Sequence, residues 1–138
     1  MLRNLFALIS GLFAMMIVIT FVELANAKFV FPPPAGMDWN NAESVAAFAQ
    51  TMPTSALVIV LLGWLLGAFV GASVAARLAG SRKLWLALVV GLLVSAGVVD
   101  SALKIPHPTW MIVLGVALPP LLAWLAAARI QKGLASTK

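Results

Sequence analysis

Apolar residues run almost unbroken through four stretches of this chain, and polar residues gather between them. The stretches cover about residues 5–23, 54–77, 84–101 and 109–129, the third reaching full length only if Asp100 and Ser101 continue it. A helix rises 1.5 Å per residue, so about 20 apolar residues cross roughly 30 Å of hydrocarbon. Strands of a membrane barrel would alternate polar with apolar positions, and these runs do not. The pattern predicts an all-α protein: an integral membrane four-helix bundle forming a single transmembrane domain over residues 1–138.

A long connection, residues 24–53, joins the first two spans. Pro32, Pro33 and Pro34 cannot continue a helix and turn the chain away from the first span. Further on, Asn40 followed three residues later by Glu43 resembles a capping box, and Val45, Phe48, Ala49 and Met52 recur at helical spacing. The expectation is a short outer interfacial helix anchored by Trp39, or else an ordered loop packed over the bundle.

Composition agrees with the pattern. Hydrophobic residues make up 63% of the chain and charged residues 9%, far from the half and quarter usual in soluble domains. With no cysteine and one histidine, no metal centre and no cofactor are expected. The net charge of +5 does not point to nucleic acid, because the cations sit at span ends rather than in a stripe. If the spans alternate, Arg3, Arg77, Arg82, Lys83, Arg129, Lys132 and Lys138 share one side. Lys28, Lys104 and all four acids, Glu23, Asp38, Glu43 and Asp100, share the other. The positive-inside rule then places both termini in the cytoplasm, in a bacterial inner membrane, with the lipid bilayer as the first partner.

The start of the chain imitates a secretory signal, with Arg3 before an apolar run and Ala25-Asn26-Ala27 after it. The apolar run is about eighteen residues where a signal core has roughly 7 to 15, and Glu23 precedes the triplet. The expectation is an uncleaved first span.

Small residues mark the packing faces. Gly63, Gly67, Gly71, Ala75 and Ala79 stand four apart in the second span, and Ala87, Gly91 and Ser95 repeat the spacing in the third. Glycine weakens a helix, so this spacing signifies close approach of another helix. Two outcomes are open: the two ridges pack on each other within one chain, or the glycine face receives a second copy or another membrane protein. In the fourth span Pro119 and Pro120 withhold two N–H donors, from the carbonyls of Gly115 and Val116. A kink is expected there, with acceptors left for another partner, a bound cation included.

The polar and proline anchors also suggest a duplicated hairpin. Glu23, Ala25, Lys28 and Pro32-x-Pro34 follow the first span as Asp100, Ala102, Lys104 and Pro106-x-Pro108 follow the third. Equivalent positions for Glu23 and Asp100 define a candidate outer polar site with Lys28, Lys104 and His107. The bland reading is boundary acids in ion pairs, Asp100 with Lys104 at i+4, and an exposed loop histidine. The sharper one is a binding site, with His107 as a proton sensor.

The stretches "TFVEL", "FPPPAGMDW", "MPTSALVIVLLGWLLGAFVGASVAARLAG" and "KIPHPTW" resemble a group of small four-span bacterial inner-membrane proteins with no assigned activity. The resemblance covers most of the chain and implies the fold but no function. The small multidrug resistance family is similar in length and span count. Its acid lies deep in the first span, however, whereas Glu23 lies at the helix end.

No catalytic residue is assigned: a nucleophile with a base, a dyad of acids and a phosphate loop are all missing from the spacing. A non-enzymatic structural or accessory subunit packing through the glycine-rich face is the first expectation. A small-solute or ion transporter or channel, working as an oligomer, is the alternative.

Overall fold

The computed structural model describes residues 1–135, so Lys138, expected among the basic residues, lies outside them. Helix α1 spans Leu2–Ala25. It passes into a π-helical turn at Asn26–Val30, where Phe31 N–H donates to the Asn26 carbonyl at 2.9 Å. Pro32 then stops it, since the residue before a proline avoids the helical region. Helix α2 spans Ala42–Gln50, α3 Thr54–Leu78, α4 Lys83–Lys104 and α5 Thr109–Ala135. All but α2 are long and apolar enough to cross a membrane.

The cap of α2 is Asn41 rather than Asn40. The Asn41 side-chain oxygen accepts from Glu43 N–H at 2.9 Å and Ser44 N–H at 3.1 Å, which lie at the second and third helical positions. Asn40 is held one step earlier, its N–H donating to the Asp38 carboxylate at 2.9 Å. The asparagine pair thus divides into a turn residue and a cap.

The spans pair as α1 with α3 and α4 with α5, and α3 joins the two pairs by packing on both α4 and α5. The core is built of small side chains, among them Ala68, Ala72, Ala75 and Ala76 of α3 and Ala123, Ala126 and Ala127 of α5. Large apolar groups such as Phe6, Phe13 and Phe21 point outward. That inversion suits a lipid environment, in which apolar burial gives little drive and close backbone approach gives more.

The two small-residue ridges do not pack on each other. Gly63, Gly67 and Gly71 receive Val22, Ile19 and Met15 of α1. A Cβ on Gly71 would lie 2.7 Å from the Gly11 carbonyl oxygen, and one on Gly11 2.7 Å from that of Gly71. Gly91 instead faces Pro119, Pro120 and Ala123 of α5. Each ridge therefore serves the other helix of its own hairpin, α1 for α3 and α5 for α4. Helix α5 remains one helix through Pro119 and Pro120.

At the end carrying the chain's N-terminus, the α3–α4 turn is fastened to α1. Arg3 Nε donates to the Leu78 carbonyl at 3.0 Å, and the Asn4 side-chain oxygen accepts from the N–H groups of Gly80 and Ser81 at 3.1 and 3.2 Å. Ala79, the last position of the α3 ridge, is buried where this turn begins. Arg82, with φ of 51°, closes the turn in the left-handed region. The described cations Arg3, Arg77, Arg82, Lys83, Arg129 and Lys132 fall at or near this basic end, and the acids at the opposite, acidic end.

Candidate functional site

Two adjoining cavities open at the acidic end, and three residues line both: Glu23 of α1, Trp64 of α3 and Ser101 of α4. The upper cavity, of about 230 Å³, is also lined by His107 and Met111 and is roofed by Trp39 with Val45, Phe48, Ala49 and Met52. The lower, of about 300 Å³, lies between α1 and α4, lined by Met15, Ile19, Leu93, Val94 and Gly97. A Cβ on Gly97 would meet nothing within 4 Å, which is the backbone signature of that space.

Trp64 is the hub. It is only 8% exposed. Its six-membered ring lies over Gly115 of α5, where a Cβ would come within 3.1 Å of it. The His107 ring stands 5.8 Å away, tilted by 48°. The Trp64 indole also neighbours the Glu23 carboxylate in the wall of both cavities. A buried indole needs a partner for its one donor, and a neighbouring carboxylate is of the kind that can accept from it. His107 is oriented by the backbone: its Nδ1 is 2.7 Å from the Ile105 carbonyl oxygen. A carbonyl can only accept, so Nδ1 is the donor in this contact.

The lid is fixed by aromatic contacts. Phe48 of α2 stacks on Phe31 with centroids 5.2 Å apart and meets Trp39 edge-on at 6.3 Å. Of the two placements expected for this segment, at the lipid surface or packed over the bundle, its apolar residues Val45, Phe48, Ala49 and Met52 take the second, over the upper cavity.

Of the residues singled out in the sequence, Glu23 and His107 come together on the upper cavity. Asp100, Lys104 and Lys28 do not join them. Asp100 and Lys104 form an exposed i,i+4 salt bridge of 2.7 Å, and Lys28 sits over the ring of Phe29 at 5.4 Å from its centroid. The place beside Glu23 expected for Asp100 belongs to Ser101. One residue turns a helix by about 100°, so an acid equivalent in sequence order need not be equivalent in direction.

The packing residues also have partners within the chain. The Ser95 hydroxyl donates to the Val116 carbonyl at 2.8 Å, one of the two acceptors that the prolines of α5 leave without an N–H. Asn26, inside the Ala-x-Ala triplet, is buried, and its amide donates to the Ala56 carbonyl at 3.2 Å. Its sequence signal was a single amide between Glu23 and Lys28 at the end of an apolar run.

The chain is a small multi-pass membrane protein with apolar helices in contact with the bilayer. No protein-family model, curated protein or solved structure matches it, so the chemistry of the site rests on its own geometry.

Proposed function

We propose that the protein is a non-catalytic, membrane-embedded binding protein for small amphiphilic cations. The observation that carries this reading is the Glu23 carboxylate, set with Trp64 in the wall common to two largely apolar cavities. A carboxylate in apolar surroundings favours an occupant that brings positive charge and an apolar body together. The rings of Trp64, Trp39 and Phe48 suit the same charge through their negative faces. The acidic end faces outward in this reading, because the basic end carries the cationic excess that cytoplasmic loops hold.

The accessory-subunit reading, the first expectation from the sequence, would need a docking surface other than the glycine face. The face of Gly63, Gly67 and Gly71 is occupied by α1, so a partner helix would have to displace part of the same chain.

The test is equilibrium binding of benzyltrimethylammonium to the purified protein in a mild detergent, with its neutral isostere neopentylbenzene as control. Glu23→Gln is expected to weaken binding of the cation about tenfold or more, equivalent to about 1.4 kcal/mol, and to leave the weaker binding of the isostere unchanged. Gly97→Leu should fill the lower cavity and weaken both. Equal affinity of wild type and Glu23→Gln for the cation would overturn the proposal.

A further inference from the structure

A separate cavity of about 460 Å³ lies at the basic end, lined by Arg77, Arg129, Ile130 and Gly133. Arg77 belongs to the last turn of α3, and Arg129 comes from the same end of α5. The packing of α3 on α5 brings the two "AAR" sequences to one groove.

Neighbouring cations are engaged with the fold. Arg3 donates to the Leu78 carbonyl, and Lys83 Nζ donates to the Ala76 and Ala79 carbonyls at 3.1 and 2.9 Å. Arg77 and Arg129 are exposed and have no hydrogen-bond or ion-pair partner among the described residues. All four acidic side chains lie at the other end of the bundle, a membrane thickness away. Two guanidinium groups thus share one groove with no counter-charge among the described residues, an arrangement that an anion between them relieves.

We infer that this groove seats the phosphate headgroup of an anionic phospholipid. Guanidinium forks match phosphate oxygens in pairs, which ammonium groups do not. The site lies where two spans end, at headgroup depth, and Ile130 offers an apolar side to the start of an acyl chain. The helix dipoles are the opposing effect, since both helices end here and their C-termini repel anions. For α3 that repulsion is offset by the Lys83 ammonium on its last carbonyls.

The test uses the full chain, delipidated in a mild detergent, with native mass spectrometry counting bound dioleoylphosphatidylglycerol against dioleoylphosphatidylcholine. The expected result is selective retention of the glycerol lipid, weakened about tenfold or more in Arg77→Gln/Arg129→Gln. The control Arg82→Gln/Lys132→Gln removes the same net charge from the same end and should stay within about twofold of wild type. Should the double glutamine variant fail to fold, Arg77→Lys/Arg129→Lys keeps the charge, loses the paired geometry, and is expected to weaken the lipid a few-fold. An equal loss in the control pair, equal retention of the choline lipid, or displacement of the lipid by millimolar inorganic phosphate would overturn the proposal.

Discussion

The Ser95 hydroxyl of α4 donates, at 2.8 Å, to the Val116 carbonyl of α5, the acceptor that Pro120 leaves without its usual i+4 donor. Gly91, one turn earlier, makes the approach possible, since a Cβ there would lie 2.8 Å from the Pro119 carbonyl oxygen. A proline defect in one span and a glycine–serine groove in its neighbour are thus one joint. Ser95→Ala should cost about 0.6–1.7 kcal/mol in reversible unfolding, the range for interhelical hydrogen bonds in membranes. In the background of Pro120→Ala, which returns an N–H to Val116, the same change should cost clearly less. Additive costs in that double-mutant cycle would refute the joint.

Gly71 and Gly97 carry the same residue type in opposite surroundings. At Gly71 an added methyl meets the Gly11 backbone, which cannot yield as a side chain would, so Gly71→Ala should destabilise by about 1–3 kcal/mol. At Gly97 the space is open, and Gly97→Ala should stabilise by about 0.5–1 kcal/mol through reduced backbone entropy of the unfolded chain. The same unfolding assay measures both. Effects of equal sign would contradict the packing described for α1 on α3.

Asp100 and Lys104 illustrate what was legible in the sequence and what was not. Their spacing announced the ion pair, and the structure contains it. The length of each apolar run likewise announced four membrane-length helices, because hydrocarbon thickness leaves few alternatives. The direction of a side chain around a fully apolar helix was not legible, since lipid-facing and helix-facing positions look alike when both are apolar. Hence Ser101 rather than Asp100 stands beside Glu23, and α1 rather than α4 covers the glycines of α3. The exposed pair itself should contribute little: Lys104→Met is expected to cost under about 0.5 kcal/mol, a difference that fades in high salt.

Phe48 holds the roof of the upper cavity through Phe31 and Trp39. Aromatic pairs contribute about 0.5–1.5 kcal/mol each beyond their area, so Phe48→Ala removes roughly 1–3 kcal/mol from a segment with little other fastening. The expected outcome is local. Hydrogen exchange over Ala42–Gln50 should accelerate about tenfold or more while exchange in α3 and α4 stays near that of wild type. Uniform acceleration across the spans would mean that α2 is part of the bundle's cooperative core rather than a lid.

Asn26 tests the π-helical turn that ends α1. Asn26 begins this turn on the inward side of α1, at 4% exposure, where its amide reaches the Ala56 carbonyl while its own side-chain oxygen is buried without a partner among the described residues. The two halves of this side chain therefore act in opposite directions. Replacing both at once, in Asn26→Ala, removes a hydrogen bond and an unsatisfied acceptor together, and should cost less than about 1 kcal/mol. Asn26→Asp is nearly the same size, yet it sets a carboxyl oxygen against the Ala56 carbonyl in place of a donor. That change should cost about 2 kcal/mol or more, because a buried polar group facing another acceptor keeps its full desolvation penalty. Unfolding midpoints of the two variants decide the matter: an alanine variant less stable than the aspartate one would show that the buried contact is not the one governing this turn.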